Sequence, residues 1–140
     1  MIEDFYPTIL EMAGVKDYKT LQRIDGVSFM DVVKDNQARH ERTIVWHFPN
    51  LWGETQNTEE GYGAYSSILK DDYHLIYTWE TRQTRLYNVK EDIAEQNDLA
   101  AAMPEKVEEL SKELTQYLKE HDAQRPGLKA TGELIAYPGE

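Results

Sequence analysis

The sequence predicts an α+β fold: a four-stranded antiparallel sheet packed by a long C-terminal helix and preceded by short helices. Three observations predict it. Four short segments between positions 43 and 89 are rich in β-branched and aromatic residues and are separated by turn signals. The last three are joined by connections too short for a crossover, so they form antiparallel neighbours in a meander. Positions 104–121 then carry apolar residues at helical spacing.

The elements follow in order. Positions 2–15 read as a short helix, with Phe5, Ile9, Leu10 and Ala13 near one face and Gly14 as the stop. Pro7 is tolerable there because it lies near the helix start, where its missing N–H costs little. Asp25-Gly26 is a turn signal, and Ser28 is placed to cap a second short helix over 29–34. The first strand is 43–48, ended by Pro49, and a polar loop runs over 50–63. Strands at 64–70, 73–79 and 84–89 follow, joined by Asp71-Asp72 and by 80–83. In Tyr73-His74-Leu75-Ile76-Tyr77 the alternation is imperfect and leaves the buried face open. The helix over 104–121 starts on Pro104, has Glu105, Glu108 and Glu109 in its first turns and closes on Lys119 and His121. Val107, Leu110, Leu114, Tyr117 and Leu118 form its apolar stripe, and Glu108–Lys112 is a favourable i,i+4 pair. The Gly- and Pro-containing stretch 123–140 is expected on the surface.

Composition narrows the function. Fifteen basic residues against twenty-six acidic give a formal charge of -11, a field that repels a phosphate backbone, so nucleic acid is not an expected partner. No apolar run reaches the roughly 20 residues of a membrane span, and no stretch is both basic and amphipathic, so no membrane role is expected. Cysteine is absent, which excludes disulfides, thiol catalysis and thiolate metal sites within these residues. The opening Met-Ile-Glu-Asp-Phe-Tyr lacks the basic and apolar regions of a secretory signal and reads as the middle of something longer.

Four phrases in order carry a resemblance. They are Asp4-Phe5-Tyr6-Pro7-Thr8-Ile9-Leu10-Glu11-Met12-Ala13-Gly14; Asp25-Gly26-Val27-Ser28-Phe29 with Val45-Trp46-His47-Phe48-Pro49-Asn50; Tyr73-His74-Leu75-Ile76-Tyr77; and Leu86-Tyr87-Asn88-Val89 followed by Asp92, Glu95 and Asn97-Asp98-Leu99-Ala100. Over about positions 2–121 the chain resembles the C-terminal region of the sulfatase family, in the alkaline-phosphatase-like superfamily. His74 stands where that family usually has Lys. The resemblance implies a division into 1–35, a helical segment left from the end of the catalytic α/β domain; 36–124, the C-terminal subdomain; and 125–140, a surface tail. It implies a missing N-terminal catalytic domain as partner, a sulfated small molecule or glycan as substrate, and a periplasmic or secreted parent protein. Calcium and a formylglycine made from Cys or Ser in a Cys/Ser-X-Pro-X-Arg motif are implied for that missing domain. This chain has neither the motif nor matching ligands, so no catalytic residue and no metal ligand is expected in it, and the isolated chain is expected to be inactive.

The resemblance directs attention to the end of the first strand, an edge that in the family faces the catalytic cleft. His47, Asn50 and Trp52 are the candidate substrate-binding residues, His47 as a donor to sulfate or a sugar hydroxyl and Trp52 as a stacking face. The alternative for His47 is a strand-end side chain bonded to backbone beside a core Trp46. Arg39, His40 and Arg42 form a small basic cluster that either meets an anionic substrate or is a solvated loop. Asp71-Asp72 and Asp92 with Glu95 lack the dense oxygen array of a calcium loop and read as turn residues. His121 reads as a helix-dipole partner. Other functions stay open: a carbohydrate-binding module using Trp46, Trp52 and Trp79, an interaction domain, or the same subdomain of a phosphodiesterase or phosphonate hydrolase. Without a partner domain, the 2–14 helix is expected either to fold back or to mediate a homodimer.

Overall fold

The computed structural model describes residues 1–38, 42–50 and 63–140. It divides into two compact units, Met1–Glu41 and Arg42–Glu140.

In the first unit a 3-10 turn, Ile2–Asp4, runs directly into α1, Phe5–Met12. Pro7 sits in the first turn of α1, where the backbone N–H groups have no helical acceptor in any case. The helix stops at Gly14, whose φ of 74° opens a Schellman motif: Gly14 N–H donates to Glu11 O at 3.0 Å and Val15 N–H to Leu10 O at 2.9 Å. A second helix, α2, spans Met30–Lys34, and the Ser28 hydroxyl accepts from the Met30 N–H at 3.3 Å.

What joins these pieces is polar. The Asp4 carboxylate takes the Val27 N–H at 2.9 Å; the Thr8 hydroxyl donates to Asp4 O at 2.6 Å and accepts from the Phe29 N–H at 3.1 Å. Ser28 donates to the Glu11 carboxylate at 2.6 Å, a bond that holds the Glu11 pKa below the usual carboxylate range. Gly26 has to be glycine, because a Cβ there would lie 2.1 Å from the Glu3 carbonyl oxygen. As a result α1 is turned over: Asp4, Pro7 and Thr8 are the only buried residues among those described in this unit, while Phe5, Ile9 and Met12 are each more than half exposed.

The second unit is the expected meander. β1 (Ile44–Phe48), β2 (Tyr65–Lys70), β3 (Tyr73–Thr78) and β4 (Gln83–Asn88) lie in the order β1-β2-β3-β4, each pair antiparallel. Asp71 and Asp72 both have positive φ, 50° and 67°, as a two-residue hairpin loop of primed type demands. The register puts Val45, Ile68, Leu75 and Leu86 on one row of one face. That face meets α3, Pro104–Glu120, whose Leu110, Leu114 and Leu118 are buried with Tyr77 and Trp79 in a single core. The opposite face carries Trp46, Phe48, Tyr65 and Ile76, so neither face is plainly polar; this is why the alternation in β3 was ambiguous. Lys70 and Glu113 join β2 to α3 at 2.5 Å, which raises the Lys70 pKa.

Most of the C-terminal stretch 125–140 is exposed, yet Ile135 and Pro138 are buried and Gly127 bridges Leu134 in a small return. Isolated apolar anchors among Gly and Pro carry no periodicity, so the pattern read as surface although two side chains enter the core.

Leu114→Asp is expected to unfold the second unit, since it buries an unpaired charge against the sheet; loss of the cooperative thermal transition checks it. Asp72→Gly is expected to stabilise the β2–β3 hairpin by about 0.5–1 kcal/mol, because glycine adopts positive φ without strain; the thermal midpoint should rise.

Candidate functional site at the end of β1

β1 delivers His47 to the helix-side face and Trp46 and Phe48 to the other. Opposite His47 in the register stands Ser66, fully buried on β2. His47 Nδ1 lies 2.7 Å from Ser66 Oγ, and Nε2 lies 2.8 Å from the carbonyl oxygen of Gln124. The indole Nε1–H of Trp79 donates to the same Ser66 oxygen at 2.9 Å. A carbonyl only accepts, so Nε2 of His47 carries hydrogen, and in the neutral ring Nδ1 accepts the hydroxyl proton of Ser66. Both ring nitrogens of His47 are thus engaged within the fold.

Asn50 is exposed just beyond β1, and Trp52, Arg39 and His40 lie outside the described residues. The structure therefore brings His47 and Asn50 to one strand end. Trp79 is fully buried, edge-on to Tyr77 at 5.1 Å and to Tyr137 at 6.1 Å, and offers no face to a sugar. Trp46 and Phe48 are partly exposed on the opposite face, Phe48 stacked on Tyr65 at 6.1 Å.

The other singled-out residues take structural positions. His74 Nδ1 meets Glu95 Oε1 at 2.5 Å, with the Trp46 ring edge-on at 5.5 Å. The Asp92 carboxylate accepts the Gln96 and Asn97 N–H groups, each at 2.8 Å, and shapes a turn in which Glu95 has φ of 53°. The Asp98 carboxylate accepts the Leu86 N–H at 3.0 Å on β4. His121 Nδ1–H donates to Tyr117 O at 2.8 Å at the end of α3. Among the described residues no group of three or more His, Asp or Glu could hold a metal ion, and the chain has no Cys and no Ser-X-Pro-X-Arg. A formylglycine therefore has no precursor motif in these 140 residues. Ser66 and Gln124 escaped sequence reasoning, since a lone strand serine and a backbone carbonyl leave no signal; a Ser-Ser pair inside an apolar strand was the one available hint.

Residues 1–124 match the family pattern of the N-sulphoglucosamine sulphohydrolase C-terminal domain. The chain belongs to this family of sulfatase C-terminal domains. It is 33% identical over 104 residues to a sulfatase of Formosa agariphila, covering 72% of this chain and 19% of that protein. It is 28% identical to arylsulfatase K of Xenopus laevis, covering 79% of this chain and 20% of that one. Among solved structures, BT4656 in complex with D-glucosamine-2-N,6-O-disulfate superimposes with a TM-score of 0.63 at 23% identity, over 88% of this chain and 24% of that chain. BT1596, a 2-O glycosaminoglycan sulfatase, gives 0.64 at 16% identity over 97% and 30%. At such identities these structures establish the fold, which is that of a sulfatase C-terminal domain. The chain spans about a fifth to a quarter of the length of the curated relatives it matches.

In this sulfatase domain, His47→Ala is expected to cost about 1–3 kcal/mol, because it leaves the buried Ser66 hydroxyl without its acceptor. Urea unfolding checks it; a cost under about 0.5 kcal/mol would place His47 with ordinary surface residues.

Proposed function

We propose that the chain is the C-terminal subdomain of an enzyme that hydrolyses sulfate esters of a carbohydrate, acting outside the cytoplasm. It contributes structure and substrate-side contacts but no nucleophile. The observation that carries this reading is the family match over residues 1–124, joined to a fold whose neighbours include a sulfatase bound to a disulfated glucosamine. On this reading formylglycine and calcium belong to an upstream catalytic domain.

The first unit supports such a partner. Its apolar ridge of Ile2, Phe5, Ile9 and Met12 lies in water, and burying each such side chain is worth roughly 1.5–3 kcal/mol. The upstream domain covers this ridge in the whole protein. Alone, the 140-residue chain is expected to self-associate through it, and a Phe5→Ser, Ile9→Ser double variant is expected to be monomeric by light scattering.

On the substrate side, the exposed Asn50 offers both an amide donor and an amide oxygen to sulfate or sugar hydroxyls. His47, its ring committed inside the fold, holds the strand end from which Asn50 projects. Trp52 is the stacking face of this proposal.

The test compares the 140-residue chain with the same chain carrying its upstream sequence, on N- and O-sulfated glucosamines. No sulfate release is expected from the former and release is expected from the latter, with Asn50→Ala raising KM more than it lowers kcat. Sulfate release by the short chain alone would overturn the reading. Hydrolysis of phosphodiesters or phosphonates but not sulfates by the long form would move the chain to the related hydrolases.

A further inference from the structure

The family match ends at position 124, yet the residues beyond it are firmly built in. The Tyr77 hydroxyl donates to Ala136 O at 3.0 Å and the Thr115 hydroxyl to Pro138 O at 2.7 Å. Burial pushes the Tyr77 phenol pKa up, which keeps it a donor. Tyr137 lies between two cations, Lys119 Nζ 5.0 Å and Arg125 Cζ 4.9 Å from its ring centre. The segment turns back on itself, Leu128 N–H to Glu133 O at 2.8 Å and Ile135 N–H to Pro126 O at 2.9 Å. Its root is Gln124, whose carbonyl is held by His47.

We propose that residues 124–138 form a clasp over the core and that the Trp79–Ser66–His47 relay is its latch. This inference stands apart from the sulfatase reading. Ser66 is fully buried and owns one hydroxyl proton; its oxygen accepts the Trp79 Nε1–H, and in the neutral ring of His47 the proton goes to Nδ1, 2.7 Å away. That leaves Nε2–H as a fixed donor aimed at Gln124 O. The opposite tautomer would set Nδ1–H against the same oxygen, leave the Ser66 proton without an acceptor and turn a bare Nε2 lone pair toward a carbonyl oxygen. The buried hydroxyl therefore favours the same tautomer that the Gln124 carbonyl selects, and the two together fasten the root of the clasp. The far end is fastened separately, by Tyr77 at Ala136 and by Thr115 at Pro138, so release at the root frees the return between Arg125 and Leu134 while the far anchors stay seated.

The test is amide hydrogen exchange and imidazole nitrogen NMR on the 140-residue chain, wild type and Ser66→Ala. In the wild type His47 is expected as a single Nε2–H tautomer. Ser66→Ala is expected to mix the tautomers and to speed exchange of the Leu128 and Ile135 amides by about tenfold, the scale of one hydrogen bond. The β3 amides of Leu75 and Tyr77 should change far less. Thr115→Val, which removes the far anchor only, should speed the same tail amides and leave the His47 tautomer intact. The proposal fails if Ser66→Ala leaves the tail amides unchanged, if it speeds tail and β3 amides by the same factor, or if His47 is a tautomer mixture in the wild type.

Discussion

α1 turns Asp4 and Thr8 inward, where they hold the backbone of Val27 and Phe29, and this polar pinning fixes which side of the helix is left outside. Ile2, Phe5, Ile9 and Met12 are then committed to water by geometry, because rotating them inward would break the contacts that define the unit. With Asp4, Pro7 and Thr8 the only buried residues among those described, this unit has almost no hydrophobic term to set against chain entropy. It acquires a core only against another apolar surface. In a family whose matched relatives are about four times the length of this chain, the proposed upstream catalytic domain is the natural source of that surface.

The second unit is different in kind. Its sheet and α3 enclose Ile68, Leu75, Leu86, Leu110, Leu114 and Leu118, an interior sufficient to order the strands without help. Within it the one elaborate polar feature sits beside the strand end that carries the candidate residues. Trp79, Ser66, His47 and Gln124 form a run of bonds that all point one way, and each donor and acceptor is matched. A matched network rooted in the buried Trp79 and Ser66 holds one geometry, and that is what a strand end needs if Asn50 is to project consistently toward a ligand.

Much of this was legible in the residues. The strands and α3 followed from aromatic and β-branched runs, from Asp71-Asp72 as a hairpin loop and from Pro104 opening an amphipathic stripe. The buried face of β3 was not legible, because Leu75 and Tyr77 on one side and Ile76 on the other are all apolar. The tail was not legible either, since Ile135 and Pro138 enter the core as single anchors in an aperiodic stretch. Of the candidate site, the resemblance directed attention to His47 and Asn50 at the strand end. The partners that define the chemistry of His47 were hidden, one a serine that looks like any strand serine and the other a main-chain oxygen.

The central claim is that these residues complete a larger hydrolase, and the amides of Val27 and Phe29 report on it most directly. Their hydrogen exchange should be measured in the 140-residue chain and in the same chain joined to its upstream sequence. The account predicts weak protection in the former, where the first unit has no apolar interior, and protection approaching that of β3 in the latter. Strong, equal protection of Val27 and Phe29 in both would contradict it.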